Sequence, residues 1–179
     1  MRAAKRYAKA LFETAIEKNN LNQIQDEVKH LIGLIQRSKE FHGFLINRVL
    51  PPKSKKEIFE ALFQGKMDPM LLHFLDLLAD KKRERFLGEI LLAFQNLVDE
   101  KNKIATAIVT SARALSPQQQ DLIAKKLGKF SGYSIRIEHT VNPGLRGGFI
   151  VRLGDTVYDG SLIGQLEKLR EQLRQGEFK

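Results

Sequence analysis

Few residues of this 179-residue chain have the type and spacing that catalysis requires. Histidine is the side chain best suited to proton transfer near neutral pH, and two histidines one helical turn apart can share a metal ion. The four histidines stand far apart, at His30, His42, His73 and His139. The chain contains no cysteine, which excludes disulfides, thiolate nucleophiles and cysteine-based zinc sites. The sequence therefore predicts no catalytic residue and no metal site.

Two further groups allow a chemical interpretation but have a simpler structural one. Asp155 and Asp159 could act as paired acids, but a predicted turn and a predicted helix start explain both. Residues 144–148 are rich in glycine, yet they lack the Lys-Ser or Lys-Thr that completes a phosphate-binding loop. Glycine there favours a turn with positive φ. We therefore expect an interaction protein, without an active site or a cofactor.

The net charge of +9 suggests an acidic partner, which could be nucleic acid, a membrane surface or an acidic protein. The excess is spread over both halves of the chain. The two densest basic groups, within residues 53–56 and 81–85, are interleaved with or flanked by acids, which is typical of a solvated helix face. Tryptophan is absent and the three tyrosines are scattered, so stacking aromatics do not accompany the basic groups. A basic nucleic-acid-associated helical protein remains the alternative hypothesis.

In the first part of the chain, the residue pattern predicts helices only. Apolar residues recur there at spacings of three and four, and Pro51-Pro52, Gly65 and Asp68-Pro69 mark helix boundaries. The predicted helices cover residues 2–18, 21–38, 53–64, 69–80 and 83–101, with a short apolar piece at 41–46. Short connections between about six helices indicate an all-α bundle over residues 1–102.

Two of these helices carry more apolar surface than a single core requires. The apolar residues of the first helix cover roughly 180° of its circumference, which is wider than the ~100° stripe of an ordinary surface helix. The helix after Asp68 is apolar nearly all round, because only His73, Asp76 and Asp80 interrupt it. It is either a central core helix or a helix with one side in the core and the other in a groove for a partner. The sequence leaves both readings open.

The second part, residues 103–179, predicts a small α/β domain. Strands are predicted at 104–112, 133–140, 149–153 and 156–158, with helices at 117–130 and from 161 to about 175. Leucines at positions 162, 166, 169 and 173 form a stripe on the last helix, which we expect to pack on the sheet. The predicted fold class is thus α+β, with a boundary near Asn102. The chain shows no uninterrupted apolar run of signal-peptide or membrane-spanning type, so we expect a soluble or peripheral protein.

Several segments together resemble the delta subunit family of bacterial and chloroplast ATP synthase, whose mitochondrial equivalent is the oligomycin-sensitivity-conferring protein. Residues 6–15, Arg-Tyr-Ala-Lys-Ala-Leu-Phe-Glu-Thr-Ala, resemble the family's N-terminal signature. Residues 74–86 resemble its apolar helix and following turn, although Asp80-Lys81-Lys82 departs from the usual central residues of that turn. Residues 108–112 and 115–116 resemble the opening of its second part. Residues 147–155, 159–162 and 166–169 resemble its C-terminal signature, which is the most specific match.

The resemblance implies a non-catalytic stator subunit, which ties the catalytic head of the rotary enzyme to its peripheral stalk. It implies one copy per complex, on the cytoplasmic face of a bacterial membrane, with contact to the membrane only through the complex and none to nucleic acid. The helical part, residues 1–102, would bind the head by receiving the N-terminal helix of an alpha subunit between its first and fifth helices. The implied groove residues are Tyr7, Ala8, Leu11, Phe12, Ala15, Leu71, Phe74, Leu77 and Leu78. The second part, residues 103–179, would bind b-type stalk subunits, with Gly147, Gly148, Phe149, Leu166 and Leu169 as candidates.

Overall fold

The computed structural model describes residues 2–175 and has an α+β fold. Eight α-helices and four strands lie within these described residues, and helices alone occupy the first part of the chain. The chain divides into two compact units between Asp99 and Glu100, close to the end of the sixth helix. Each unit has its own cluster of buried apolar residues.

The first unit consists of helices that surround one apolar core. They are α1 (Arg2–Glu17), α2 (Leu21–Arg37), α3 (Lys39–Ile46), α4 (Pro52–Phe63), α5 (Pro69–Asp80) and α6 (Leu87–Lys101). Every one of them contributes at least one buried apolar side chain to the same cluster. A helix buries its stripe only against other helices here, since no strand lies within residues 2–99.

Helix boundaries in this unit follow from residues that satisfy free backbone groups. Asp68 precedes α5, and its carboxylate accepts a hydrogen bond from the Met70 N–H at 2.8 Å. Pro69 occupies the first helical position, where its missing N–H leaves no hydrogen bond unmade. The Asp68 N–H in turn donates to the Glu27 carboxylate of α2 at 2.9 Å. These bonds fix where α5 begins relative to α2.

The second unit is a four-stranded mixed sheet with two helices. The strands are β1 (Ile104–Ser111), β2 (Ser134–Val141), β3 (Phe149–Leu153) and β4 (Thr156–Asp159), and the helices are α7 (Pro117–Ser131) and α8 (Leu162–Gln175). The sheet order is β2-β1-β3-β4, with β1 parallel to β2 and the other pairs antiparallel. Ser116 begins α7 with a capping box to Gln119. On one face of the sheet, the buried residues are Ala107, Val109 and Val151. Helix α7 packs against this face with Ile123 and Leu127.

The structure departs from the sequence expectations in two helices. The predicted long helix at 83–101 starts later, because residues 84–86 form a separate 3-10 turn before α6. The prediction that the leucine stripe of the last helix packs on the sheet is wrong. Leu162, Leu166, Leu169 and Leu173 of α8 are all at least half exposed.

Candidate functional site

An apolar groove runs between α1 and α5 in the first unit; it is called here the α1–α5 groove. It has a volume of about 410 Å³. Its lining residues are Arg6, Tyr7, Ala10, Leu11, Thr14, Met70, His73, Phe74 and Leu77. Most of these side chains are apolar, so the groove offers a surface that water solvates poorly.

The floor of the groove is buried, whereas its rim is open to solvent. The Tyr7 and Phe74 rings meet edge to face with their centroids 6.5 Å apart, which joins the two helices across the groove. Leu11 and Phe74 are almost fully buried and form the floor. Leu77 is 40% exposed although it is a large aliphatic residue on the most apolar helix of the chain. This exposure distinguishes a groove from a closed core.

The structure brings four of the nine residues expected in the groove to its lining, namely Tyr7, Leu11, Phe74 and Leu77. Ala8, Ala15, Leu71 and Leu78 lie in the core instead, with no exposed surface. Because they turn inward on the same two helices, they support the groove walls without being able to touch an occupant. Phe12 packs against Phe94 of α6, with ring centroids 6.2 Å apart.

Sequence reasoning missed five lining residues, which are Arg6, Ala10, Thr14, Met70 and His73. Ala10 lies three positions after Tyr7, and Thr14 lies four positions after Ala10. All three residues therefore lie on the same outer face of α1. His73 and Leu77 lie four apart on α5 in the same way. The helical spacing therefore contained this signal, but polar and small residues do not stand out in an apolar pattern.

The candidate residues of the second unit fall into two places. Gly147, Gly148 and Phe149 line a cavity of about 440 Å³ beside the end of β1. Both glycines have a structural reason: a Cβ on Gly147 would collide with the Leu162 side chain, and one on Gly148 with the Gly160 carbonyl. Gly148 also has a φ of +79°, which favours glycine. Phe149 alone of the three offers a side chain to a partner, and it is 38% exposed.

Leu166 and Leu169 lie on α8, in a stripe that is separate from that cavity. The stripe consists of Leu162, Leu166, Leu169 and Leu173, which are 51%, 65%, 51% and 52% exposed. Spacings of four, three and four place these leucines on one face of the helix. A row of leucines that faces solvent is typical of a helix that packs against a partner helix.

The described residues offer little else that could act chemically. Within residues 2–175, no three His, Cys, Asp or Glu side chains stand close enough to hold a metal ion. The His139 Nε2 lies 2.7 Å from the Ser111 Oγ, but this oxygen donates to the Arg113 carbonyl, which leaves it the acceptor of the imidazole N–H. None of the helices in the described part of the chain is long and apolar enough to cross a membrane.

Comparisons with known proteins agree over nearly the whole chain. The family model described as ATP synthase delta (OSCP) subunit matches residues 3–173. The chain is 40% identical to the ATP synthase subunit delta of Carboxydothermus hydrogenoformans over 170 residues, which are 95% of this chain and 96% of that protein. It is 32% identical to the ATP synthase subunit delta of Syntrophomonas wolfei over 175 residues, or 98% and 96% of the two chains. Its fold is similar to that of a chain in the cryo-EM structure of the Toxoplasma gondii mitochondrial ATP synthase hexamer, with a TM-score of 0.71, 28% identity and coverage of 95% and 96%.

Proposed function

Since the chain belongs to the ATP synthase delta (OSCP) subunit family, we propose that its α1–α5 groove receives an amphipathic helix from the N-terminus of an ATP synthase alpha subunit. The chain is a non-catalytic stator subunit, a peripheral component of the ATP synthase complex. In this role a six-helix bundle over residues 1–102, which contains the first unit, holds the catalytic head. The second unit, residues 103–179, holds b-type subunits of the peripheral stalk. We place the single copy on the cytoplasmic face of a bacterial membrane.

The observation that supports the groove assignment is the exposed apolar lining between α1 and α5. A helix-in-groove interaction requires a preformed apolar furrow with anchoring pockets, and an amphipathic helix fills it with residues spaced by three and four. Leu77 and Tyr7 flank the furrow, while Ala10 lowers one wall so that the backbone of a docked helix can approach α1. Burial of Leu77 by an occupant removes apolar surface from water, which stabilises the complex.

The groove assignment is tested by calorimetric titration of the intact chain with a synthetic peptide of the alpha N-terminus. Leu77→Asp places a charge on the apolar lining, and we expect the affinity to fall by about a hundredfold, or ~2.7 kcal/mol. Leu62→Asp is the matched control, because Leu62 is a leucine of α4 with a similar exposure of 43% and does not line the groove. Unchanged binding by the folded Leu77→Asp variant would contradict the assignment.

The observation that supports the stalk assignment is the exposed leucine stripe of α8. Leu166 is its most exposed member at 65%, so Leu166→Asp leaves the fold intact and removes an apolar contact. We expect this variant to lose co-purification with the b-type subunits while it still binds the alpha peptide. Leu122→Asp is the control, since Leu122 on α7 is 59% exposed and lies outside the stripe. Equal retention of the stalk subunits by both variants would rule out α8 as the docking helix.

A further inference from the structure

The two most basic segments of the sequence meet at one cavity of the first unit. This cavity, called here the basic cavity, has a volume of about 420 Å³ and shares no lining residue with the α1–α5 groove. The segment that connects α3 to α4 brings Arg48, the start of α4 brings Lys55, and the turn after α5 brings Lys82 and Arg85. The sequence pattern suggested two separate solvated faces, but the fold combines them around one space.

The charge in the basic cavity is strongly unbalanced. Among the described lining residues, Glu84 is the one carboxylate, and it forms a buried ion pair with Lys55. Arg48, Lys82 and Arg85 form no ion pair with any residue in the range 2–175. Three uncompensated positive charges therefore surround the cavity. Like charges at close range repel, and a bound anion would relieve that repulsion.

Two of the positive groups, those of Lys55 and Arg85, contact neighbouring groups of the first unit. The buried Lys55 Nζ also donates to the Asn47 carbonyl at 2.6 Å, which ties down the segment that carries Arg48. The Arg85 guanidinium lies over the Phe86 ring, 4.5 Å from its centroid. Lys82 is exposed and has a φ of +53°, a backbone conformation that is uncommon outside glycine.

The other residues that line the basic cavity, together with its volume, indicate what kind of ligand fits it. Glu84 is 7% exposed and is paired with Lys55, so it leaves the exposed charge of the cavity positive. Val49 and Leu50 supply apolar surface to the lining, and Val49 is 91% exposed. The cavity volume lies within the ~300–1,000 Å³ range of small-molecule sites, well above the size of a single inorganic anion.

We propose that the basic cavity binds a phosphate-bearing small organic molecule of nucleotide size. Its phosphate groups contact Arg48, Lys82 and Arg85, because a phosphate carries about −1.5 to −2 charges near pH 7 and matches several cations better than one carboxylate does. Its organic part packs on Val49 and Leu50. The inference is independent of the alpha and stalk contacts, since it concerns residues that neither contact uses.

The test is calorimetric titration of the intact chain with ATP, in a chelating buffer of fixed ionic strength without divalent cations. We expect saturable binding of one ATP per chain, and weaker binding of tripolyphosphate, which carries the charge without the organic part. The double variant Lys82→Gln/Arg85→Gln removes two exposed cations and should weaken ATP binding at least about tenfold. The matched control Lys5→Gln/Lys18→Gln removes the same charge from two exposed positions that do not line the cavity, one on α1 and one directly after it.

Three results would overturn the proposal. Absence of saturable ATP binding would remove the site altogether. An equal loss of affinity in the Lys5→Gln/Lys18→Gln control would show that ATP binding depends only on the net charge of the protein. Equal affinities for tripolyphosphate and ATP would show a simple anion site that does not recognise an organic part. Thermal melts of both double variants confirm that each remains folded, so a loss of binding is not a loss of structure.

Discussion

At the scale of single residues, the surroundings of Asp76 disfavour its charged form. It lies on α5, and burial raises the pKa of its carboxyl above the ordinary value, while the positive charge of Lys56 on α4 partly opposes that shift. The Asp76 Oδ1 has no hydrogen-bond partner among the described residues. Above its raised pKa, the folded protein therefore holds an ionised carboxylate that water and hydrogen bonds solvate incompletely.

We predict that Asp76→Asn stabilises the protein near pH 7, by up to about 1 kcal/mol. The folded pKa lies above the unfolded one, so the stabilising contribution of Asp76 is fully present below its unfolded pKa and is lost as the pH rises through its folded pKa. The advantage of the variant should consequently be largest near neutral pH and vanish in acid. Urea denaturation at pH 7 and at pH 3 measures both values.

The control for this prediction is Asp80→Asn, one helical turn further along α5. The Asp80 carboxylate forms an ion pair with the Lys56 Nζ at 2.6 Å, and we therefore expect the loss of its charge to be neutral or slightly destabilising at pH 7. A similar stabilisation by both variants would mean that general charge reduction, and not the burial of Asp76, is the cause.

At the scale of secondary-structure elements, α5 shows what the sequence could and could not predict. Its start at Pro69 and its end at Asp80 follow from local residues, because an Asp-Pro pair determines where a helix can begin. Leu77 and Leu78 are neighbours of the same type, yet one is 40% exposed and the other fully buried. The exposure of each leucine depends on where the neighbouring helices lie, and a local sequence pattern does not contain that information. The sequence pattern left open whether α5 is a core helix or a groove wall, and only the family resemblance paired it with the first helix. Four of the nine expected residues line the groove.

The prediction for the leucines of α8 was wrong for a related reason. A leucine stripe predicts that a helix packs against something apolar, and the sheet of the same unit was the nearest apolar surface. The structure shows that α7 covers the apolar face of that sheet and that the α8 leucines stay exposed. Periodicity indicates that a face will be buried, but it does not distinguish burial within the chain from burial by a partner.

The start of α5 gives a prediction at this scale, because Asp68 connects three helices at one point. Its carboxylate caps α5 and also accepts a bond from the Asn20 Nδ2 at 3.1 Å, between α1 and α2. We predict that Asp68→Ala lowers the free energy of unfolding by about 1–2 kcal/mol, through loss of the cap and of the link to Asn20. Asp68→Asn, which keeps an acceptor oxygen, should recover most of the loss in thermal denaturation. A failure of Asn to recover any stability would show that the cap is not the cause.

At the scale of the whole molecule, each unit buries its own apolar cluster, whereas the excess positive charge is spread over the chain. The buried cluster of the first unit runs from Ala4 to Val98, and that of the second from Ala107 to Val151, so neither cluster draws residues from the other unit. The net charge of +9 belongs to the chain as a whole and aids encounter with acidic surfaces more than it sets affinity. For the partner contacts proposed above, specificity then comes from local features, namely the α1–α5 groove and the α8 stripe.

This division predicts that residues 1–102 fold as an independent protein. Helix α6 ends at Lys101, so the fragment keeps every residue of the first buried cluster and cuts the chain just before β1. We expect one cooperative thermal transition and an affinity for the alpha peptide within about twofold of that of the intact chain, because all groove residues lie between Arg6 and Leu77. An unfolded fragment would refute the two-domain organisation. A folded fragment without affinity would leave the two-domain organisation intact. It would show that the groove is not the complete alpha site, because residues beyond 102 would have to take part in binding.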